Sequence, residues 1–110
     1  SLHVPLTSLT QRMVDTDFLN KMKTTSLLIN TSRGDVVDQQ ALKTALKKNE
    51  IAGAALDVFA EEPPSDKEFL SLPNLMVTPH IGGNALEAVD AMGSSAIDHL
   101  IAYFMDHSAK

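Results

Sequence analysis

"LLINTSRGDVVD", residues 27–38, decides the fold. It opens on Leu27, Leu28 and Ile29, apolar on successive residues, as suits a parallel strand covered on both faces. The run breaks at Asn30 into small polar residues and reaches Arg33, one of two arginines in the chain. A guanidinium at a strand end calls for an anionic partner, and the neighbouring sequence offers none before Asp35. Asp38 then stands where it can cap "QQALKTALKKNE", in which Ala41, Leu42, Ala45 and Leu46 form one stripe and lysines gather towards the C-terminal end.

The same alternation continues on either side. Upstream, "TDFLNKMK" places Phe18, Leu19 and Met22 at helical spacing, with Asp15 or Thr16 as N-cap. Downstream, "IAGAALDVF" reads as a strand, "AEEPPSDKEFLSLPN" as a proline-marked loop and "LMVTPH" as another strand. From Leu86 to Phe104 a long helix is expected, with Leu86, Val89, Ala96, Ile97, Leu100, Ile101 and Phe104 along one face. Strands alternating with helices define an α/β protein with a mostly parallel sheet. "SLHVPLT" reads as the last residues of a strand whose beginning lies elsewhere.

Bulk properties remove several classes. With 110 residues, 44% of them hydrophobic and 21% charged, the chain is at most one ordered domain. A net charge of -5 with scattered Lys and Arg leaves no basic patch for a nucleic-acid backbone, so no nucleic-acid partner is expected. No apolar run is long enough for a membrane span and Ser1 to Thr10 has no basic leader pattern, so a soluble, unprocessed chain without a membrane partner is expected. The absence of cysteine excludes disulfides and thiolate zinc and permits a reducing cytoplasm; no metal site is expected. The five glycines (34, 53, 82, 83 and 93) never form a G-x-G-x-x-G phosphate-binding fingerprint.

In open α/β sheets ligands bind beyond the carboxyl ends of the strands. That rule singles out His3 to Pro5, Thr31 to Gly34, Asp57 to Glu62 and Thr78 to Gly83, which together supply Arg33, Asp57, Glu61, Glu62 and His80. Arginine suits a carboxylate held by two parallel hydrogen bonds, histidine passes a proton near neutrality, and a carboxylate on the far ring nitrogen fixes the tautomer. Arg33, His80 and Glu62 in those roles fit redox chemistry at an alcohol next to a carboxylate. The plainer alternatives are solvated surface charges, a loop histidine bonded to backbone at His80 and a turn cap at Asp57; His99 and His107 are treated as structural. The tripeptide Arg33-Gly34-Asp35 is set aside because it follows a buried strand with no secretory signal in these residues, and the sequon Asn30-Thr31-Ser32 because its modification needs an exposed loop in the secretory path.

Across "HVPLT", "MKTTSLLINTSRGDVVDQQAL", "IAGAALDVFAEEPP", "LPNLMVTPHIGG" and the final helix, the chain resembles the D-isomer-specific 2-hydroxyacid dehydrogenases, which include phosphoglycerate, glyoxylate/hydroxypyruvate and D-lactate dehydrogenases. The resemblance implies the second half of a Rossmann-like, doubly wound parallel sheet with its returning helix, the first half and a substrate domain being absent from residues 1–110. It implies hydride transfer between NAD or NADP and a small 2-oxo or D-2-hydroxy acid. Arg33 then binds substrate, His80 is the general acid/base and Glu62 its partner. Thr31, Ser32, Asp57, His80, Gly82 and Gly83 are expected at the nicotinamide end, with Val4 and Pro5 on the ribose or adenosine side. Glu62 argues against the formate dehydrogenase branch, which carries an amide there. The isolated chain is expected to be inactive and to pair as a homodimer through its helix. A catalytically silent NAD-binding or oligomerisation module of the same fold is the alternative.

Overall fold

The computed structural model describes residues 1–107, which form two compact units, Ser1–His80 and the segment from Ile81 on. The first unit contains α1 (Thr16–Asn20), β1 (Leu27–Asn30), a single 3-10 turn (Gly34–Val36), α2 (Gln39–Lys47), β2 (Gly53–Leu56), α3 (Lys67–Leu70) and β3 (Leu75–Val77). The strands form one parallel sheet in the order β1-β2-β3, with Asn30 opposite Leu56 and Leu56 opposite Val77. All three therefore end at one edge. The expected strand in "SLHVPLT" is a single parallel bridge, Leu2 to Asn30.

Capping chemistry sets the helix starts. Asp15 accepts from the Phe18 amide at 2.9 Å, and Asp38 accepts from the amides of Gln40 and Ala41 at 3.0 Å each, satisfying donors that a helix leaves unpaired at its N-terminus. The end of α2 is equally defined: Asn49 takes a left-handed φ of 55°, and the Glu50 amide returns to the Ala45 carbonyl at 2.9 Å.

Two expectations need correction. The stretch Ala60 to Asn74 is not a plain loop, because Asp66 accepts from the Phe69 amide at 3.0 Å and starts α3. Phe69 is fully buried, and Lys43 of α2 pairs with both Asp66 and Glu68 at 2.8 and 2.7 Å. The turn is too short to show a helical period, and the prolines on either side, Pro63 and Pro64 before it and Pro73 after it, disguise it. Nor do the elements of the first unit cover β1 on both faces: Leu28 and Asn30 are buried while Leu27 and Ile29 are exposed. Leu19 of α1, Leu42 and Leu46 of α2 and Phe69 of α3 all join the core on the Leu28 and Leu56 side, so the first unit has helices on one face of its sheet.

The second unit is dominated by α4 (Leu86–His107), somewhat longer than the expected Leu86 to Phe104. Its apolar residues, among them Leu86, Val89, Ile97, Leu100, Ile101 and Phe104, are exposed. No helix among the described residues is long and apolar enough to cross a membrane.

Candidate active site

β1 ends in a turn built by a side chain. Asn30 is fully buried; its Oδ1 accepts from the Ser32 amide at 3.0 Å and from Ser32 Oγ at 2.8 Å, and its Nδ2 donates to the Arg33 carbonyl at 2.9 Å. The sequon asparagine thus has no accessible side chain. Beyond this turn Arg33 is exposed, and Nη1 donates to the Ser32 carbonyl. No carboxylate among the described residues lies within ion-pair distance of Arg33, leaving the rest of its fork of donors available. The anionic partner sought in the sequence is not a neighbouring residue.

The next two strand ends are tied to the first. The Asp57 amide donates to the Asn30 carbonyl, and the Thr78 amide to that of Leu56, at 3.0 Å each. Thr78 Oγ1 donates to buried Asp57 Oδ1 at 2.6 Å. The loops that follow are pressed together at Gly34, where an added Cβ would sit 1.9 Å from the Phe59 carbonyl carbon. Only glycine permits that approach.

On this support Glu62 and His80 meet. His80 Nδ1 lies 2.8 Å from Glu62 Oε2, while Glu62 Oε1 accepts from the Phe59 amide at 3.0 Å. The ring and the amide hold the Glu62 carboxyl below the ordinary carboxylate range, the ring contributing most. An ionised carboxylate only accepts, so the proton of the pair sits on Nδ1 and Nε2 remains as the nitrogen that exchanges protons. Nε2 has no partner among the described residues. His80 holds a left-handed φ of 54°, uncommon for a side chain with a Cβ and a conformation that needs surrounding support. Half of the His80 side chain and 38% of that of Glu62 are exposed, so the pair is open to a ligand.

Two clefts bring these groups together. One, of about 270 Å³, is lined by Leu6, Arg33, Gly34, Phe59, Glu62 and His80 among others. The other, of about 550 Å³, is lined by His3, Val4, Pro5, Leu6, Thr31, Ser32 and Arg33. Leu6 and Arg33 belong to both, so the two adjoin. Of the residues singled out in the sequence, Arg33, Glu62 and His80 share the smaller cleft, and Val4, Pro5, Thr31 and Ser32 the larger. Asp57 lines neither and lies buried beneath Thr78. Gly82 and Gly83 fall in the second unit. Glu61 Oε2 accepts from Ser65 Oγ at 3.0 Å and lines neither cleft. Sequence reasoning missed Asn30 and Leu6, and named Thr78 only as the start of a strand-end segment without a role; the apolar-to-polar break at Asn30 was the one signal for that residue. No cluster of three metal-ligating side chains occurs among the described residues.

Fold and site define an α/β domain whose parallel strands present an arginine and a carboxylate–histidine pair at one edge. The chain belongs to the D-isomer specific 2-hydroxyacid dehydrogenase family, through the NAD binding domain of that family, which matches residues 1–82. It is 45% identical over 106 residues to a glycerate dehydrogenase of Methylorubrum extorquens, covering 94% of this chain and 34% of that protein. A glyoxylate reductase of Thermococcus litoralis is 50% identical over 103 residues, covering 94% and 31%. Among solved structures, an NADPH-dependent glyoxylate/hydroxypyruvate reductase from Sinorhizobium meliloti, in complex with NADP and malonate, superposes with a TM-score of 0.86 at 40% identity, covering 92% of this chain and 32% of that one. The chain spans about a third of the length of these relatives.

Proposed function

We propose that this chain is the second half of the NAD(P)-binding domain of a reductase that converts a small 2-oxo acid, NAD(P)H and a proton into the D-2-hydroxy acid and NAD(P)⁺. The observation that carries this reading is the shared cleft: Arg33 stands there with the Glu62–His80 pair, beside the larger cleft. Arg33 holds the substrate carboxylate through its fork of donors. His80 Nε2 gives its proton to the carbonyl oxygen, and in the reverse direction takes the hydroxyl proton. Glu62 keeps the ring oriented and fixes its tautomer.

Nicotinamide, when bound, supplies or accepts the hydride. The cleft of about 550 Å³ with Thr31 and Ser32 in its wall fits a nicotinamide–ribose end. Lacking the glycine fingerprint, these 110 residues hold no pyrophosphate loop of that type, so the other end of the cofactor is held elsewhere in the protein. The names of the relatives favour glyoxylate or hydroxypyruvate over a phosphorylated acid. We extend the reading to a cytoplasmic homodimer, which the exposed apolar residues of α4 favour and which sedimentation of the full-length protein tests.

The deciding experiment mixes the full-length protein with NADH or NADPH and a panel of 2-oxo acids. Oxidation of either cofactor by glyoxylate or hydroxypyruvate supports the reading. No oxidation across the panel overturns it in favour of a silent binding module.

A further inference from the structure

We propose that Asn30 is the positioning residue that aims Arg33 at the substrate carboxylate; the inference rests on the reading of Arg33 given above. Asn30 ends β1, and its own carbonyl is engaged by the Asp57 amide, so its backbone is fixed to the sheet. From that anchor, the Asn30 side chain substitutes for backbone pairing across the turn. Oδ1 takes both the amide and the hydroxyl of Ser32, and Nδ2 takes the Arg33 carbonyl. The Ser32 carbonyl, oriented in this way, accepts from the guanidinium itself. Arg33 is therefore held at both ends, its carbonyl directly by Asn30 and its guanidinium by the residue that Asn30 clamps.

The chemistry requires an amide at this position. Alanine would leave the Ser32 amide without its acceptor, and a carboxylate would lack the donor that meets the Arg33 carbonyl. Asn30 itself is fully buried and takes no part in binding. Its effect on substrate must pass through Arg33.

The test measures steady-state constants for glyoxylate with NADPH in the full-length protein, for the wild type, Asn30→Ala, Arg33→Ala and the double variant. The single Asn30 change is expected to raise KM about tenfold with kcat held within about threefold, and to add less than about twofold in the Arg33→Ala background. Equal effects in both backgrounds, or an unchanged KM, overturn the proposal. If Asn30→Ala does not fold, Asn30→Asp takes its place with the same expectation, since it keeps the acceptor for Ser32 and loses the donor. Should the wild type reduce no 2-oxo acid, the functional reading fails separately, and Asn30 is judged by hydrogen exchange at the Ser32 amide. Faster exchange in the variant, by about tenfold or more, upholds its control of the turn. Unchanged exchange overturns it.

Discussion

Glu62 Oε2 and His80 Nδ1 stand 2.8 Å apart, although the residues lie eighteen positions apart in sequence. On the reading proposed above the contact orients the proton donor at the edge of the sheet, so its loss should appear first in turnover. In the full-length protein, His80→Ala is expected to lower kcat by about a hundredfold to ten-thousandfold, the range for a positioned acid or base, with the Kd for cofactor within about threefold. Stopped-flow turnover and cofactor titration check the two halves; turnover at the wild-type rate removes His80 from the mechanism.

Arg33→Lys keeps the charge and loses the planar fork. The expected result is a KM for the 2-oxo acid higher by about tenfold with a smaller change in kcat. A defect confined to cofactor binding would contradict the assignment of Arg33 to the substrate.

The pH dependence has a definite sign. The His80 ring, then the Phe59 amide, lowers the Glu62 carboxyl; Lys43 lowers Asp66, and Lys43 followed by Lys47 lowers Glu68. A carboxyl with a folded pKa below its unfolded one contributes stability above the unfolded value and loses it as pH falls through the folded one. Acid should therefore destabilise the fold from the ordinary carboxylate range downwards. Urea midpoints followed against pH should show a shallower acid decline in Lys43→Met, because Asp66 and Glu68 lose their main partner. An unchanged slope would mean that these pairs contribute nothing.

Gly34→Ala puts a methyl group into the Phe59 backbone. Because backbone rather than a flexible side chain blocks it, the change is expected to cost about 1–3 kcal/mol or more by forcing the two loops apart. Chemical denaturation measures it, and a neutral result would show that the loops separate easily.

Phe69→Ala empties a fully buried position at the end of α3 and is expected to cost about 3–5 kcal/mol. Asp38→Ala, which removes one cap with two amide bonds, should cost about 1 kcal/mol. If the two variants had equal unfolding free energies, α3 would be peripheral rather than part of the core.

Much of this was legible in the sequence because local chemistry and tertiary structure agree. Asp38 is both the capping residue its position suggests and the start of a helix whose Leu42, Ala45 and Leu46 are buried. The apolar runs at Leu28 and Ala54 are the strands they resemble, and strand ends do place Arg33, Glu62 and His80 along one cleft. What escaped depends on partners far along the chain. α3 is defined by Asp66 and by Lys43 from another helix, neither of which leaves a period. The exposed alternation of Leu27 and Ile29 cannot be told from burial on both faces by composition. Asn30 looks like an ordinary strand terminator until its three hydrogen bonds are seen.

The contact between Gly34 and Phe59 bears on how such a site diversifies. It welds the arginine loop to the segment leading to Glu62, so the spacing between guanidinium and carboxylate is inherited as a single dimension. Neither loop can lengthen to suit a bulkier acid without prising the other away. On the reading proposed above, adaptation to a bulkier acid would fall to the opposite wall of the cleft, with the edge that carries Arg33, Glu62 and His80 kept intact.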